Sequence, residues 1–507
     1  MTGSEPTTST RDPADGATLM VRFAGELAMK GRRTRRRFQR TLARNLRDAY
    51  ASANRPCEVR QEWSRFYVDT TGPDPAGPLR RVFGISSWSQ IDAVVPAELD
   101  QIVQRGAELY GERVKGRTYA VRARRSGRHA FHSSDVMEQL GAALNPGATV
   151  DLDEPEVEVF VEVRDDEARL FADRLPGAGG LPLGAESKAV ALLSGGFDSA
   201  VAAWTLLRRG VALDYVFCNL GGDAYRRMVV EVAKHLADHW SYGTRPRLHV
   251  VDFVPMVAEL RRAVERPYLQ VALKRQMYRA AEVIAGRTGA DALVTGEAVG
   301  QVSSQTLANL RAIDGVAERP VLRPLIGSDK EDIIALSRRI GTHDLSARVR
   351  EYCLISEGPT ATGARPETLV REERKLDAAV LETALESVEI LDLRRLRLAP
   401  LVAAGLFTDE IPAGALVIDM REPSDGGDIA GEARTRDEFP ADVLRRTEAE
   451  LRAGFGDLDR SRRVVLVCRQ GMISAQVAER MQAAGYEAYS LRGGVKALRR
   501  RRAETRE

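Results

Sequence analysis

Between residues 185 and 397, short apolar runs alternate with longer segments of helical period. Ala189 to Leu193 is continuously apolar and reads as a buried strand, and Ala200 to Leu207 reads as the helix that follows it. The same alternation continues with a strand over Val211 to Asn219, a helix over Tyr225 to Ser241 and a strand over Leu248 to Phe253. A helix over Gln270 to Arg287 and a strand over Ala292 to Thr295 complete the series. Strands separated by helices in this way predict a doubly wound parallel sheet with helices on both faces. A further apolar run, Val464 to Val467, precedes a helical stretch from Ala475 to Ala484, so a second α/β unit is expected near the end of the chain.

Proline and glycine clusters punctuate this pattern. One spans Gly72 to Pro78 and another Leu175 to Gly184, just ahead of the first strand above. A charged helical stretch from Glu367 to Arg397 reads as a connector into the last unit. The expected organisation is a disordered tail over 1–18, units over 19–75, 76–184 and 185–397, and a last unit over 398–507. No internal repeat is visible. The tail is polar and lacks the apolar centre of a signal peptide. No apolar run approaches the ~18–20 residues of a membrane span, so a cytoplasmic protein with no membrane partner is expected.

Composition narrows the chemistry only a little. Net charge is +3, which excludes a global basic field, so any nucleic-acid contact must come from local clusters. The four cysteines, Cys57, Cys218, Cys353 and Cys468, are far apart and form no CxxC pair. That spacing argues against a zinc site or a disulfide scaffold, and no metal-ligand set is expected.

The first candidate for chemistry is Ser194-Gly195-Gly196-Phe197-Asp198-Ser199, between the strand ending at Leu193 and the helix beginning at Ala200. Glycines at a strand-to-helix turn let the backbone approach a phosphate, and the start of a helix attracts anions. Ser194 and Ser199 add hydroxyl donors, and Asp198 can orient Mg2+ or a phosphate-binding group. The run resembles the PP-loop of ATP pyrophosphatases, which adenylate a substrate and release pyrophosphate. It lacks the terminal Lys of loops that cleave the γ-phosphate.

Other segments extend the resemblance. Thr295-Gly296-Glu297-Ala298-Val299-Gly300-Gln301-Val302-Ser303-Ser304-Gln305-Thr306-Leu307 follows a strand, Lys274 lies on a predicted helix, and Asp329-Lys330 follows Arg323-Pro324-Leu325. Upstream, Arg122, Arg124, Arg125, Arg128 and His129 fall within eight residues, with Phe131 beside them to pack or stack. Near the start, Gly25 to Gly31 with Lys30 leads into Arg32, Arg33 and further arginines, so the next helix opens against its own dipole and a polyanion would relieve the conflict. Downstream, Val464 to Val467 delivers Cys468 into a tight loop closed by Ser474, where backbone N–H groups and a helix start would stabilise a thiolate or persulfide.

On these residues the chain resembles the tRNA 4-thiouridine synthetase (tRNA sulfurtransferase) family over about Leu19 to Val495. The resemblance implies a multidomain α/β protein: an N-terminal ferredoxin-like domain over 19–75, a THUMP RNA-binding domain over 76–184, a PP-loop domain with its connector over 185–397 and a rhodanese-like domain over 398–507. It implies ATP contacts at Leu192, Leu193, Ser194, Gly195, Gly196, Asp198, Ser199, Lys274, Gly296 and Gln305, with the glycine at 296 admitting adenine to the backbone. Asp198 and Lys330 would serve catalysis, Lys330 by neutralising the departing pyrophosphate.

By the same resemblance Cys468 carries a persulfide and Cys353, in Glu351-Tyr352-Cys353-Leu354-Ile355-Ser356, is its disulfide partner. The implied partners are tRNA, a cysteine desulfurase as sulfur donor, a thiazole-pathway sulfur carrier protein and a cellular reductant; homodimers are common in the family. The acidic, Gly-rich stretch from Glu422 to Pro440 departs from the usual rhodanese pattern and favours a protein donor over free thiosulfate. Cys57 and Cys218 stand in no motif and are expected to pack.

Overall fold

A computed structural model of the chain describes residues 16–62, 65–220, 222–349, 360–397, 406–421, 439, 442–468, 473–495 and 498. They divide into two compact units. The first holds the described residues up to Ser187 together with Trp204–Ala212 and His239–Thr244; the second holds the rest.

Two sheets make up the first unit. In one, β1 (Ala17–Phe23), β2 (Cys57–Gln61), β3 (Arg65–Thr70) and β4 (Ile85–Gln90) pair antiparallel behind the helix Arg32–Ser52. That helix buries Leu42, Leu46, Ala49 and Tyr50 on Leu19, Val21, Phe66 and Val68, an i, i+4, i+7, i+8 stripe. The other contains β5 (Ala93–Pro96), β6 (Thr118–Ser126), β7 (Thr149–Val150), β8 (Val157–Arg164) and β9 (Glu167–Phe171), in the order β5-β9-β8-β6-β7. Strict alternation along β8 turns Val157, Val159, Val161 and Val163 inward, toward Ile102 and Leu140 of the covering helices Leu99–Val114 and Ser133–Leu144.

Two sequence breaks lie inside this unit. The cluster at 72–78 leads into a single 3-10 turn, Pro78–Arg81, whose Leu79 is fully buried in the first core alongside Val82. The strand β10 (Leu175–Gly179) crosses the second cluster and returns to pair with β4, giving the order β10-β4-β1-β3-β2. The expected division at 75/76 is therefore an internal turn, because the small first sheet needs β4 and β10 to close its core. Proline is tolerated in β10 because the strand is an edge. Gly177 is required there: a Cβ would fall 2.4 Å from the Ile85 carbonyl oxygen.

The second unit opens with β11 (Glu186–Leu192), β12 (Val211–Asn219), β13 (Arg247–Asp252), β14 (Ala292–Val294), β15 (Val321–Leu322) and β16 (Glu389–Asp392), in the order β15-β14-β11-β12-β13-β16. Helices Phe197–Arg208, Gly222–Trp240 and Leu269–Thr288 occupy the connections expected for them. The chain moves outward from β11 to β13 and then returns to the other side of β11 with β14. That reversal is the switch point where such sheets bind ligands.

The connector differs from its sequence reading. Instead of one helical stretch, residues 366–392 form the helices Pro366–Glu373 and Ala378–Glu386, then β16, which pairs antiparallel with β13. The physical reason is burial: Leu369, Leu385 and Leu393 all enter the core, which a continuous solvated helix would leave exposed. Glu373, 7% exposed, is held by Arg275 and Arg279 through bonds of 2.8–2.9 Å.

The C-terminal sheet contains β17 (Phe407–Thr408), β18 (Leu416–Asp419), β19 (Asp442–Arg445), β20 (Val464–Val467) and β21 (Ala488–Leu491), all parallel, in the order β17-β21-β20-β18-β19. The helix Ile473–Ala483 buries Val477, Ala478 and Met481 against it. Among the described residues, no helix is long and apolar enough to cross a membrane.

Arg275 is 3% exposed, so removing its partner strands a buried guanidinium. Glu373→Ala is expected to destabilise the protein by about 3–5 kcal/mol in urea denaturation.

Candidate active site at the switch point

The loop after β11 is held by its own side chains. Ser199 Oγ donates to the Gly196 carbonyl at 3.0 Å and accepts from the Ser194 N–H and hydroxyl, both at 3.3 Å. Ser199 is buried, and these bonds brace the loop. Gly195 has φ +81°, and a Cβ there would meet Val229 at 3.0 Å and Val349 at 3.2 Å, so both conformation and space require glycine. Gly196 has nothing closer than the Ser194 hydroxyl at 3.7 Å and leaves the turn accessible. Leu193 is buried and its N–H bonds the Val216 carbonyl, while Leu192 packs against the sheet core. These two place the loop through the backbone.

Asp198, Lys330 and Gln301 come together at the helix start. Lys330 Nζ donates to Asp198 Oδ1 and Oδ2 at 2.7 and 2.9 Å, across 132 residues of sequence. Gln301 Nε2 donates to Oδ2 at 2.8 Å. Lys330 remains 39% exposed and sits 5.9 Å over the Phe197 ring. The pair leaves a partly exposed cation beside the glycine turn.

Gly296 is also required by packing. A Cβ at 296 would fall 2.6 Å from the Asp198 carbonyl carbon and 2.7 Å from the Ser199 nitrogen. On the side where a Cβ would stand, the start of the loop helix lies against its Cα, so the close approach of protein backbone requires glycine here. Gln305 is likewise engaged internally: its Oε1 accepts from the Ala298 N–H at 3.2 Å, and its own N–H donates to the Val302 carbonyl at 2.8 Å.

Lys274 is 14% exposed and donates to Glu297 Oε1 at 2.9 Å. Glu297 was not singled out as a site residue, yet it is the hub of this region. Its Oε2 accepts from Tyr278 Oη at 2.6 Å, Arg323 Nε at 2.9 Å and Thr295 Oγ1 at 3.2 Å. Burial alone would push this carboxyl up; Lys274, the Tyr278 hydroxyl and Arg323 outweigh it and hold the group at about 2. The signal in the sequence was its position beside Gly296 at a strand end. What was missing was any sign that Lys274, Tyr278 and Arg323 would converge there.

The basic clusters divide into free and engaged members. Lys30, Arg32 and Arg33 are exposed at the start of the helix Arg32–Ser52, whose first turn contains no acid. Arg124 and Arg128 are exposed as well. Arg122 pairs with Glu158 at 3.1 Å and caps the Leu152 carbonyl. Arg125 lies 3.3 Å from His129 Nδ1, and His129 Nε2 bonds the Asp165 carbonyl at 2.6 Å, which folds the turn after β6. Phe131 is buried in the core of its sheet and packs.

Cys468 directly follows β20 and is buried, and Ser474 Oγ donates to its Sγ at 3.2 Å. Ser474 is itself fully buried and bonded to Ser490 at 2.9 Å, so the donor is fixed in place. Cys353, the loop residues 469–472 and nearly all of the 422–440 segment lie outside the described residues. Cys218 packs in the core of the six-stranded sheet, and burial pushes the Cys57 thiol up.

Four family models match the chain. They are the ThiI ferredoxin-like domain over residues 18–89, the THUMP domain over 96–173, Thiamine biosynthesis protein (ThiI) over 184–378 and a Rhodanese-like domain over 381–501. The chain is similar to the tRNA sulfurtransferase of Desulfurococcus amylolyticus, 37% identical over 94% of this chain and 97% of that protein. It is also similar to that of Edwardsiella ictaluri, 35% identical over 92% and 98%. Among solved structures, a 4-thiouridine synthetase–RNA complex with bound ATP superposes with a TM-score of 0.67 at 30% identity, covering 74% of this chain and 99% of that one.

Gly296→Ala is expected to displace Asp198 and lower ATP–pyrophosphate exchange by about 10²-fold, the usual consequence of misplacing a reacting group by an ångström. The Glu297 carboxyl lies at about 2 in the fold against 4.5 ordinarily, so its stabilisation is complete above about pH 4.5 and disappears as pH falls toward 2. Denaturation midpoints followed across that window should show a loss of about 3 kcal/mol that Glu297→Gln largely removes.

Proposed function

The chain belongs to the tRNA sulfurtransferase family, and on that premise we propose that it converts a tRNA uridine to 4-thiouridine using ATP. The observation that carries this reading is the convergence of Asp198 and Lys330 on a glycine turn at the switch point of a parallel sheet. ATP lies in that turn with its phosphates toward the start of helix Phe197–Arg208. The 4-oxygen of the uridine attacks the α-phosphorus, the bond to the β-phosphate oxygen breaks, and pyrophosphate leaves. Lys330, released from Asp198, neutralises charge on the leaving group.

The magnesium that accompanies ATP supplies charge neutralisation on the phosphates. Asp198 is the carboxylate placed to hold it, in keeping with a hard cation that binds one carboxylate and substrate phosphates. Among the described residues no cluster of three or more His, Cys, Asp and Glu forms a separate metal site.

Sulfur arrives on Cys468 as a persulfide from a cysteine desulfurase. Its terminal sulfur attacks C4 of the adenylated base and AMP departs from that carbon. Cys353 attacks the inner sulfur, so the terminal sulfur stays on the base and a Cys353–Cys468 disulfide forms, which a two-electron cellular reductant reopens. Ser474 donates to the sulfur and so steadies its anionic form. Lys30, Arg32, Arg33, Arg124 and Arg128 take tRNA phosphates, with Arg122, Arg125 and His129 shaping the turn that presents them. The uridine is the one at position 8, the protein acts in the cytoplasm, and the PP-loop and rhodanese-like units begin near residues 185 and 398.

A second outlet for the persulfide, a thiazole-pathway sulfur carrier protein, is favoured by the family model over 184–378, described as a thiamine biosynthesis protein.

Cys468→Ala should abolish 4-thiouridine formation, read by nucleoside mass spectrometry, while ATP–pyrophosphate exchange stays near wild type. Asp198→Ala should reverse that division, with persulfide still loaded and AMP no longer formed. Collapse of both activities in the cysteine variant would overturn the separation of activation from sulfur delivery.

A further inference from the structure

The helix Gly222–Trp240 presents two faces with different partners. On one, the Tyr225 hydroxyl donates to the Ser194 carbonyl at 3.1 Å, and Val229, one turn on, fills the space beside Gly195. These residues wall the phosphate-binding loop. At ~100° per residue, Arg227 and Glu231 lie on the opposite face. Arg227 is ion-paired with Glu479 of the helix Ile473–Ala483, the helix that follows the Cys468 loop. Glu231 lies 3.9 Å from Arg348, and the next residue, Val349, abuts Gly195.

We propose that this outer face is a docking surface for the chain's own C-terminal domain, with Arg227 capturing Glu479 and so holding the domain that carries Cys468 one helix away from the ATP loop. This rests on the reading that Cys468 delivers sulfur to a base activated at that loop. Arg227 is 42% and Glu479 24% exposed, so the pair is weak and opens readily. A weak contact suffices because the two partners share one chain, where effective concentrations reach the millimolar range. Reversibility suits a carrier that must show its cysteine to an external sulfur donor and then return to the activated base. The contact also leaves adenylation untouched, because Tyr225 and Val229, and not Arg227, face the loop.

The test uses the full chain with Arg227→Glu, Glu479→Arg and the two combined. Each protein is preloaded with persulfide and mixed with tRNA and ATP for a single turnover. Either single change should slow sulfur transfer about fivefold to tenfold with persulfide loading and ATP–pyrophosphate exchange unchanged, and the swap should restore the rate to within about twofold. Wild-type transfer in the single variants, or no recovery in the swap, would overturn docking. A second measurement is independent of chemistry: an R227C/E479C chain treated with a short bis-maleimide should give an internal cross-link between those positions, mapped by peptide mass spectrometry. Absence of that cross-link sinks the docking surface even if sulfur transfer proceeds through Cys468. Its presence, with Cys468→Ala still active, sinks the sulfur reading and leaves the docking intact.

Discussion

The site rests on one steric constraint: the Cα of Gly296 lies against the peptide between Asp198 and Ser199, with no room for a side chain. Two neighbouring parallel strands, β11 and β14, end side by side, and the segments that leave them must share the same space. Glycine at 296 lets the start of helix Phe197–Arg208 settle onto the end of β14. Asp198 is thereby carried to the point where Gln301 and Lys330 reach it from two other segments.

Around that contact the charges are arranged at two levels of freedom. Glu297 gathers Lys274, Tyr278 and Arg323 in the interior, and Glu373 gathers Arg275 and Arg279 nearby. Neutralised and hydrogen-bonded on all sides, these groups make a stiff polar frame. Lys330, by contrast, is more than a third exposed and held by a single carboxylate, so it can change partner when phosphate arrives. A rigid frame and one partly exposed cation thus meet at the glycine turn. Cys468 lies apart from it beside a different sheet, and the hydroxyl that donates to it, Ser474, is locked in that sheet's core.

Several elements were legible because their signals are local. The apolar run ending at Leu193, the helix beyond it and the glycine turn between them appear where the sequence pattern puts them. The strand leading to Cys468 and the helices Gly222–Trp240 and Leu269–Thr288 do so as well. Misreadings arose where a local signal had a distant cause. The proline and glycine cluster at 72–78 looked like a boundary, yet β4 and β10 come from beyond it to complete the first core. The 367–397 stretch looked like one charged helical connector, but Leu369, Leu385 and Leu393 are buried by packing no periodicity announces.

By itself, then, the sequence determined the order of strands and helices, the turn at Ser194–Ser199 and the placing of Cys468 just beyond an apolar strand, since each depends on residues adjacent in the chain. Tertiary structure alone decided that Gly296 admits backbone, that Ser199 braces its loop, that Glu297 is the hub and that Arg227 meets Glu479. Those outcomes depend on which atoms fill a few ångströms of space between segments tens to hundreds of residues apart, and burial and contact are properties of the folded arrangement.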